Sequence, residues 1–151
     1  MKTRTILLIE DNPSDIALTK RALQKARISN DLAVAEDGEQ ALRTLGLDQG
    51  AATGPAPELP ALVLLDLQLP KIDGLEVLRR LRASERTRRL PVVVLTSSRE
   101  EQDVAASYDL GVNSYIRKPV DFNRFAEAVR QLGLYWLVLN EPPPAEATHD
   151  Q

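Results

Sequence analysis

The length, composition and charge of this chain indicate one small domain and exclude several classes of protein. The 151 residues are 43% hydrophobic, which is enough for one buried core of ordinary domain size. The net charge of -3 gives no reason to expect a nucleic-acid partner or an anionic membrane partner. The absence of cysteine excludes disulfides and thiolate metal sites, and it fits a reducing compartment.

The N-terminal sequence predicts no targeting segment. Residues 1–4 run directly into an apolar stretch of about five residues, which is shorter than the core of a signal peptide. No stretch approaches the ~20 apolar residues of a membrane-spanning helix. We therefore expect a cytoplasmic protein.

Strand-like and helix-like stretches alternate five times along the chain. The strand-like runs are β-branched and apolar on both faces, as buried parallel strands are. Asn12 followed by Pro13 is typical of a helix start, and Asp73 is positioned to cap a later helix. The predicted strands span residues 5–10, 31–35, 62–66, 92–96 and 114–117, and the predicted helices begin near residues 13, 37, 73, 99 and 121.

This alternation predicts the fold class. Strands that alternate with helices form right-handed crossovers and a parallel sheet. Five such units suit an α/β, flavodoxin-like, doubly wound (βα)5 fold, with a five-stranded parallel sheet of order 2-1-3-4-5 and helices on both faces. Ligands of such sheets bind beyond the carboxyl ends of the strands, where the strand order reverses.

Polar residues stand where four of these strands end. Glu10 and Asp11 lie at the end of the first strand, Asp66 and Thr96 end the third and fourth, and Lys118 follows the fifth. A carboxylate can accept a phosphoryl group as an acyl phosphate, and Mg²⁺ prefers a small number of carboxylate ligands. A lysine ammonium and a threonine hydroxyl can bind the phosphate oxygens. The pattern therefore predicts a phosphoryl-transfer site.

With these motifs in place, the chain resembles a receiver domain of the two-component response regulators over residues 5–139. The matching elements lie at the corresponding ends of five separate segments, which makes the resemblance specific. They are Glu10-Asp11, Asp66, the turn from Leu69-Pro70 to Asp73-Gly74, Thr96-Ser97 and Lys118-Pro119.

The resemblance implies a role for each site residue. Asp66 would be the phosphoacceptor, and Asp11 and Asp66 would ligate Mg²⁺ directly. The main-chain carbonyl of Gln68 would complete the protein ligands, while Glu10 would act through a metal-bound water. Such a protein is a phosphoacceptor that assists its own phosphorylation and dephosphorylation, and it is not an enzyme in the ordinary sense.

The family also implies a conformational switch. Thr96 would turn toward the phosphate, and Tyr115 on the fifth strand would move with it from an exposed to a buried rotamer. The surface of the fourth helix, fifth strand and fifth helix would change as a result. Pro119 would follow a cis peptide bond, and Gln68 and Ser98 match positions that tune dephosphorylation.

The chain departs from the commonest receiver pattern at Glu10, which replaces the more usual aspartate, in a long loop and at the apolar end of the last helix. We expect a receiver domain over residues 1–139, a surface loop over 48–60 and a proline-rich, disordered tail over 140–151. The end of the last helix carries more apolar residues than one buried face needs, which predicts a homodimer interface or packing against the long loop. The predicted interface residues are Leu134, Tyr135, Trp136, Leu137 and Val138.

These features together resemble the single-domain regulators that pair with bacterial phytochromes. The resemblance implies a sensor histidine kinase as partner, with a bacteriophytochrome as the specific candidate and a histidine phosphotransfer protein as a further one. No nucleic-acid or membrane partner is expected. The six arginines at positions 79, 80, 82, 86, 88 and 89 are interpreted as a solvated face.

Other interpretations stay open at this stage. Any one carboxylate here could be a solvated cap, and Tyr115 could be an ordinary core aromatic. A phosphorylation-independent pseudo-receiver scaffold is the main alternative function. A haloacid-dehalogenase-like hydrolase is disfavoured by Gln68, because that family needs an aspartate there. A flavodoxin is disfavoured because no Ser/Thr-rich phosphate loop follows the first strand.

Overall fold

Five strands and five helices alternate along the chain, as the sequence predicts. The computed structural model describes residues 5–28, 30–48, 58–97, 101–118 and 122–133. The elements are β1 (Ile6–Ile9), α1 (Pro13–Lys25), β2 (Leu32–Ala35), α2 (Gly38–Leu45), β3 (Leu62–Leu65), α3 (Gly74–Ala83), β4 (Val92–Thr96), α4 (Glu101–Asp109), β5 (Ser114–Arg117) and α5 (Phe122–Gly133).

The strands form one parallel sheet of order β2-β1-β3-β4-β5. Ile9 at the end of β1 is level with Leu65 at the end of β3, so the residues after them are neighbours. Thr96 at the end of β4 is level with Arg117 at the end of β5. The predicted order is confirmed, and its reversal between β1 and β3 places Glu10 beside Asp66.

Each face of the sheet has its own hydrophobic core, because alternate strand residues point to opposite faces. On one face, Leu7 and Ile9 belong to the cluster that includes residues of α2 and α3. On the other face, Ile6 and Leu8 belong to the cluster that includes residues of α1 and α5. Helices therefore cover both faces of the sheet, which explains why the strands are apolar throughout.

Side-chain caps fix the starts of the helices near the carboxyl edge of the sheet. The carboxylates of Asp37 and Asp73 each accept a hydrogen bond from a backbone N–H three residues on, at 2.8 and 3.0 Å. The bond from Gln40 is the main cause that lowers the pKa of Asp37. Asn12 caps α1 in the same way through the N–H of Asp15, at 3.1 Å. These caps end each preceding loop at a defined position.

The interpretation of the arginine-rich stretch as a solvated face is only partly correct. Arg79 and Arg80 form exposed ion pairs with Glu76. Arg82 and Arg86 instead donate to backbone carbonyls, Arg82 to four of them. A guanidinium carries five donors in a fixed fork, so it can join several loops that sequence patterns do not relate to one another.

Several predictions concern residues outside the described ranges. They are most of the loop over 48–60, Ser98, Pro119, the apolar helix end at residues 134–138 and the tail over 140–151. The domain boundary at residue 139 therefore stays a prediction. None of the helices within the described ranges is long and apolar enough to cross a membrane.

Candidate functional site

Three carboxylates meet where β1 and β3 end. Glu10, Asp11 and Asp66 each offer an oxygen within 4.8 Å of the others. Glu10 and Asp66 are 1% and 5% exposed, whereas Asp11 faces solvent. Three hard oxygen donors at this spacing suit a divalent cation such as Mg²⁺ or Mn²⁺ better than a softer metal.

Lys118 brings a positive charge to this cluster from the end of β5. Its Nζ lies 2.8 Å from Oε1 of Glu10 and 3.2 Å from Oδ2 of Asp66. A third carboxylate, that of Asp15 in the first turn of α1, lies closer still at 2.6 Å. The lysine side chain is 12% exposed, so its charge acts in a partly desolvated environment.

The electrostatics of the cluster are set by burial and by these contacts. Burial raises the pKa of Glu10 to about 7, with a further rise from the charge of Asp66, and the hydrogen bond from Lys118 only partly opposes it. Burial lowers the pKa of Lys118, but hydrogen bonds to Asp15 and Glu10 and the charge of Asp66 raise it by more. The lysine therefore stays charged at all physiological pH values.

Backbone donors orient the buried carboxylates. The N–H of Gln68 donates to Oδ1 of Asp66 at 3.0 Å, and the N–H of Asn12 donates to Oε2 of Glu10 at 3.2 Å. The Ser97 hydroxyl donates to the side-chain oxygen of Gln68. An open cleft of about 400 Å³ lies over the cluster, and the described residues that line it are Asp11, Asn12, Pro13, Asp15, Asp66, Gln68, Ser97 and Lys118.

Two glycines hold the loop between β3 and α3 close to its neighbours. A Cβ on Gly74 would lie 2.3 Å from the carbonyl oxygen of Asp66. A Cβ on Gly38, at the start of α2, would lie 2.0 Å from the carbonyl oxygen of Ile72. No side chain fits at either distance, so both positions require glycine. The loop that carries Gln68 is therefore anchored at both of its sides.

The two residues predicted to act as a switch lie at the end of β4 and on β5. Thr96 is fully buried, and its carbonyl accepts a hydrogen bond from the N–H of Lys118 at 2.8 Å. Tyr115 is partly buried and packs against the cluster that includes residues of α2 and α3. Pro119 and the predicted interface residues 134–138 lie outside the described ranges.

The structure brings together the predicted Glu10, Asp11, Asp66, Gln68 and Lys118, and it adds one residue that the sequence analysis missed. The sequence indicated only a helix start at Asn12-Pro13 and gave no contact for Asp15, which lies in the first turn of that helix. Its position one helical turn after Asn12 was the available signal, because that turn also lies at the carboxyl edge.

Known proteins are similar to this chain in sequence and fold. The family model of the response regulator receiver domain matches residues 6–130. The probable methanogenesis regulatory protein FilR2 of Methanothrix harundinacea is 41% identical over 138 residues, which is 91% of this chain and 86% of that protein. Response regulator Rcp1 of Synechocystis sp. is 38% identical over 134 residues, which is 89% of each chain.

Solved structures agree with this assignment. The phosphorylated cyanobacterial phytochrome response regulator RcpA superposes with a TM-score of 0.80 at 36% identity, and the match covers 95% of this chain and 100% of that one. The Mn²⁺-bound form of Rcp1 gives 0.78 at 37%, with coverage of 93% and 99%. The bacteriophytochrome response regulator AtBRR gives 0.71 at 51%, with coverage of 93% and 100%. This chain therefore belongs to the response regulator receiver family.

Proposed function

We propose that this chain is a response regulator that is switched by phosphorylation of Asp66. The observation that carries the proposal is the Asp66 carboxylate, which lines an open cleft together with Asp11 of the same carboxylate cluster and the ammonium of Lys118. A nucleophile, a cation site and a fixed positive charge are the parts that phosphoryl transfer to a carboxylate needs.

We assign the metal site to Asp11, Asp66 and the main-chain carbonyl of Gln68. Glu10 is already paired with Lys118, which suits an indirect role through water. The Mn²⁺-bound form of Rcp1 supports a divalent cation in this family, and the hard oxygen donors here favour Mg²⁺. When bound, Mg²⁺ neutralises charge on the transferring phosphoryl group.

Each site residue of this chain has its own role in the proposed phosphoryl transfer. An oxygen of Asp66 forms a bond to phosphorus as the bond between phosphorus and the donor nitrogen breaks. The donor phosphohistidine, protonated at its other ring nitrogen, takes the electron pair of that bond and leaves as neutral imidazole. The backbone N–H of Gln68 holds the Asp66 carboxylate in place. Lys118 binds a phosphoryl oxygen that otherwise repels the cluster, and the hydroxyl of Thr96 binds another.

The proposed output is a change in the surface formed by α4, β5 and α5. Thr96 and Tyr115 stand at the end of β4 and on β5, so a movement of both would reach that surface. We also propose a homodimer through this surface and residues 134–138. Light scattering tests it, and a monomeric mass at tens of micromolar, with and without phosphorylation, would refute it.

The proposed phosphate donor is a histidine kinase of the bacteriophytochrome class. Support comes from RcpA and AtBRR, which are phytochrome response regulators by name. FilR2, at 41% identity, is a regulator of a different process, so the pairing needs a direct test. Incubation with a purified bacteriophytochrome kinase from the same organism should transfer phosphate to Asp66, and failure of transfer from every such kinase would contradict the pairing. A histidine phosphotransfer protein is the second candidate partner.

The first experiment measures the intact mass of the protein after incubation with acetyl phosphate, with and without Mg²⁺. We expect a gain of one phosphoryl group that requires Mg²⁺ and is absent in Asp66→Asn. Asn keeps the size of the side chain and removes the nucleophile. No gain in the wild type, with acetyl phosphate and with the kinase, would instead support a phosphorylation-independent scaffold.

A further inference from the structure

We infer that Asp15 is a positioning residue for phosphoryl transfer, which holds the Lys118 ammonium in the cleft while Asp66 is converted to the acyl phosphate. The inference rests on the proposed function. Asp15 belongs to α1 and is far in sequence from Lys118, so the contact exists only in the folded chain.

The backbone of Asp15 is fixed at the point where its side chain meets the lysine. Its backbone N–H donates to Oδ1 of Asn12 at 3.1 Å, and its carbonyl accepts from the Thr19 hydroxyl at 2.8 Å. The carboxylate is 27% exposed and lines the cleft, while its lysine partner is 12% exposed. The first turn of α1 thus presents a fixed acceptor to a partly desolvated ammonium, and such charge-assisted bonds are the strong ones.

The hydrogen-bond inventory of Lys118 explains why this acceptor matters. An ammonium has three donors, and the three carboxylates of Glu10, Asp15 and Asp66 match that number. A phosphoryl oxygen can bind Lys118 only if it replaces one of them. Asp66 is the most distant, at 3.2 Å against 2.6 Å for Asp15, and it is the group that the reaction converts. Asp15 and Glu10 are left to hold the ammonium toward the phosphoryl group.

A merely structural role for Asp15 makes different predictions. An acidic residue in the first turn of a helix stabilises that helix through the macrodipole wherever the helix lies. Glu76 has the same position in α3 and lies on an exposed surface, where it pairs with Arg79 and Arg80. Glu76→Gln is therefore the matched control for the loss of one first-turn charge.

The test compares phosphorylation rates with acetyl phosphate at saturating Mg²⁺. We expect Asp15→Asn to lower the rate constant about fivefold, because a neutral acceptor holds an ammonium less well than a carboxylate does. Glu76→Gln should leave the rate unchanged. In a Lys118→Met background, Asp15→Asn should have no further effect on the rate. Asp15 acts on the transfer through the Lys118 ammonium, which that background lacks.

A second readout does not depend on phosphorylation. The ¹⁵N-labelled ammonium of Lys118 should give a protected NMR signal in the wild type and lose protection in Asp15→Asn. A wild-type rate for Asp15→Asn, with normal phosphorylation of the wild type, would overturn the inference alone. Failure of the wild type to accept phosphate from any donor would overturn the proposed function and the inference together.

Discussion

Two cations lie at opposite edges of the sheet, and each binds several oxygen atoms. At the carboxyl edge, Lys118 contacts three side-chain carboxylates. At the amino edge, Arg82 of α3 joins the segments that lead into β4 and β5. It donates to the carbonyl oxygens of Leu110 at 2.6 Å, Arg88 at 2.8 Å, Leu90 at 2.7 Å and Gly111 at 3.0 Å.

The difference between the two lies in their acceptors. The carbonyls around Arg82 are neutral and belong to the backbone, so they neither titrate nor react. The carboxylates around Lys118 can take up a proton, bind a cation or accept a phosphoryl group. Burial lowers the pKa of Arg82, yet a guanidinium stays charged in proteins. We infer that the amino edge stabilises the fold, while the carboxyl edge holds charge that chemistry can change.

The largest expected effect is the loss of stability in Arg82→Met. This change leaves four carbonyls without their donor, and at about 1 kcal/mol for each bond the free energy of unfolding should fall by about 4 kcal/mol. Urea unfolding followed by circular dichroism measures it. The folded fraction should still be phosphorylated at the wild-type rate, because Arg82 lies at the opposite edge from Asp66.

Arg79→Met is the control for this change, since Arg79 belongs to the same helix and forms an exposed ion pair with Glu76 within the described part of the chain. It should cost less than about 1 kcal/mol. Equal losses of free energy of unfolding in Arg79→Met and Arg82→Met would show that the four carbonyl contacts do not stabilise the fold. The amino edge would then have no stabilising role to contrast with the carboxyl edge.

The second prediction concerns Lys118→Met, where function should fall and stability should be recoverable. Removal of one preorganised cation from a transition state typically costs two to three orders of magnitude in rate, so phosphorylation by acetyl phosphate should slow about a hundredfold or more. Any loss of stability should be reversed by Mg²⁺, which supplies positive charge to the same carboxylates. Arg82→Met should gain nothing from Mg²⁺ beyond the wild type.

Phosphorylation rates and urea midpoints with and without Mg²⁺ separate these outcomes. A Lys118→Met variant that is phosphorylated at the wild-type rate would show that the lysine is a structural counter-ion, as Arg82 is. If Mg²⁺ did not reverse the loss of stability in Lys118→Met, the carboxylates that contact Lys118 would not be exchanging the lysine for a bound cation. They would then resemble the carbonyls around Arg82.

The same comparison explains how much the sequence could predict. The strand order and the meeting of Glu10 with Asp66 follow from alternation and from parallel strand ends, so local pattern was sufficient for them. Lys118 was predicted because it too ends a strand. Asp15 and Arg82 were not, since each lies on a helix and binds partners whose positions depend on how three segments pack together.

The third prediction distinguishes the two edges by pH. Burial and the charge of Asp66 raise the pKa of Glu10 from 4.5 to about 7, so between these values the folded protein binds a proton that the unfolded chain has lost. Stability therefore falls as the pH rises through this window. At about 1.4 kcal/mol for each pH unit, the loss over the whole window is at most about 3.5 kcal/mol.

Urea midpoints in EDTA between pH 5 and 8 should thus decline more steeply for the wild type than for Glu10→Gln, which cannot ionise. Saturating Mg²⁺ should flatten the wild-type profile, because a cation beside the cluster favours ionised Glu10. The difference in free energy of unfolding between Arg82→Met and the wild type should stay constant across the same pH range, since neutral carbonyls do not titrate. Parallel profiles for Glu10→Gln and the wild type would mean that Lys118 fully compensates the buried carboxylate, and that the carboxyl edge is as insensitive to pH as the amino edge.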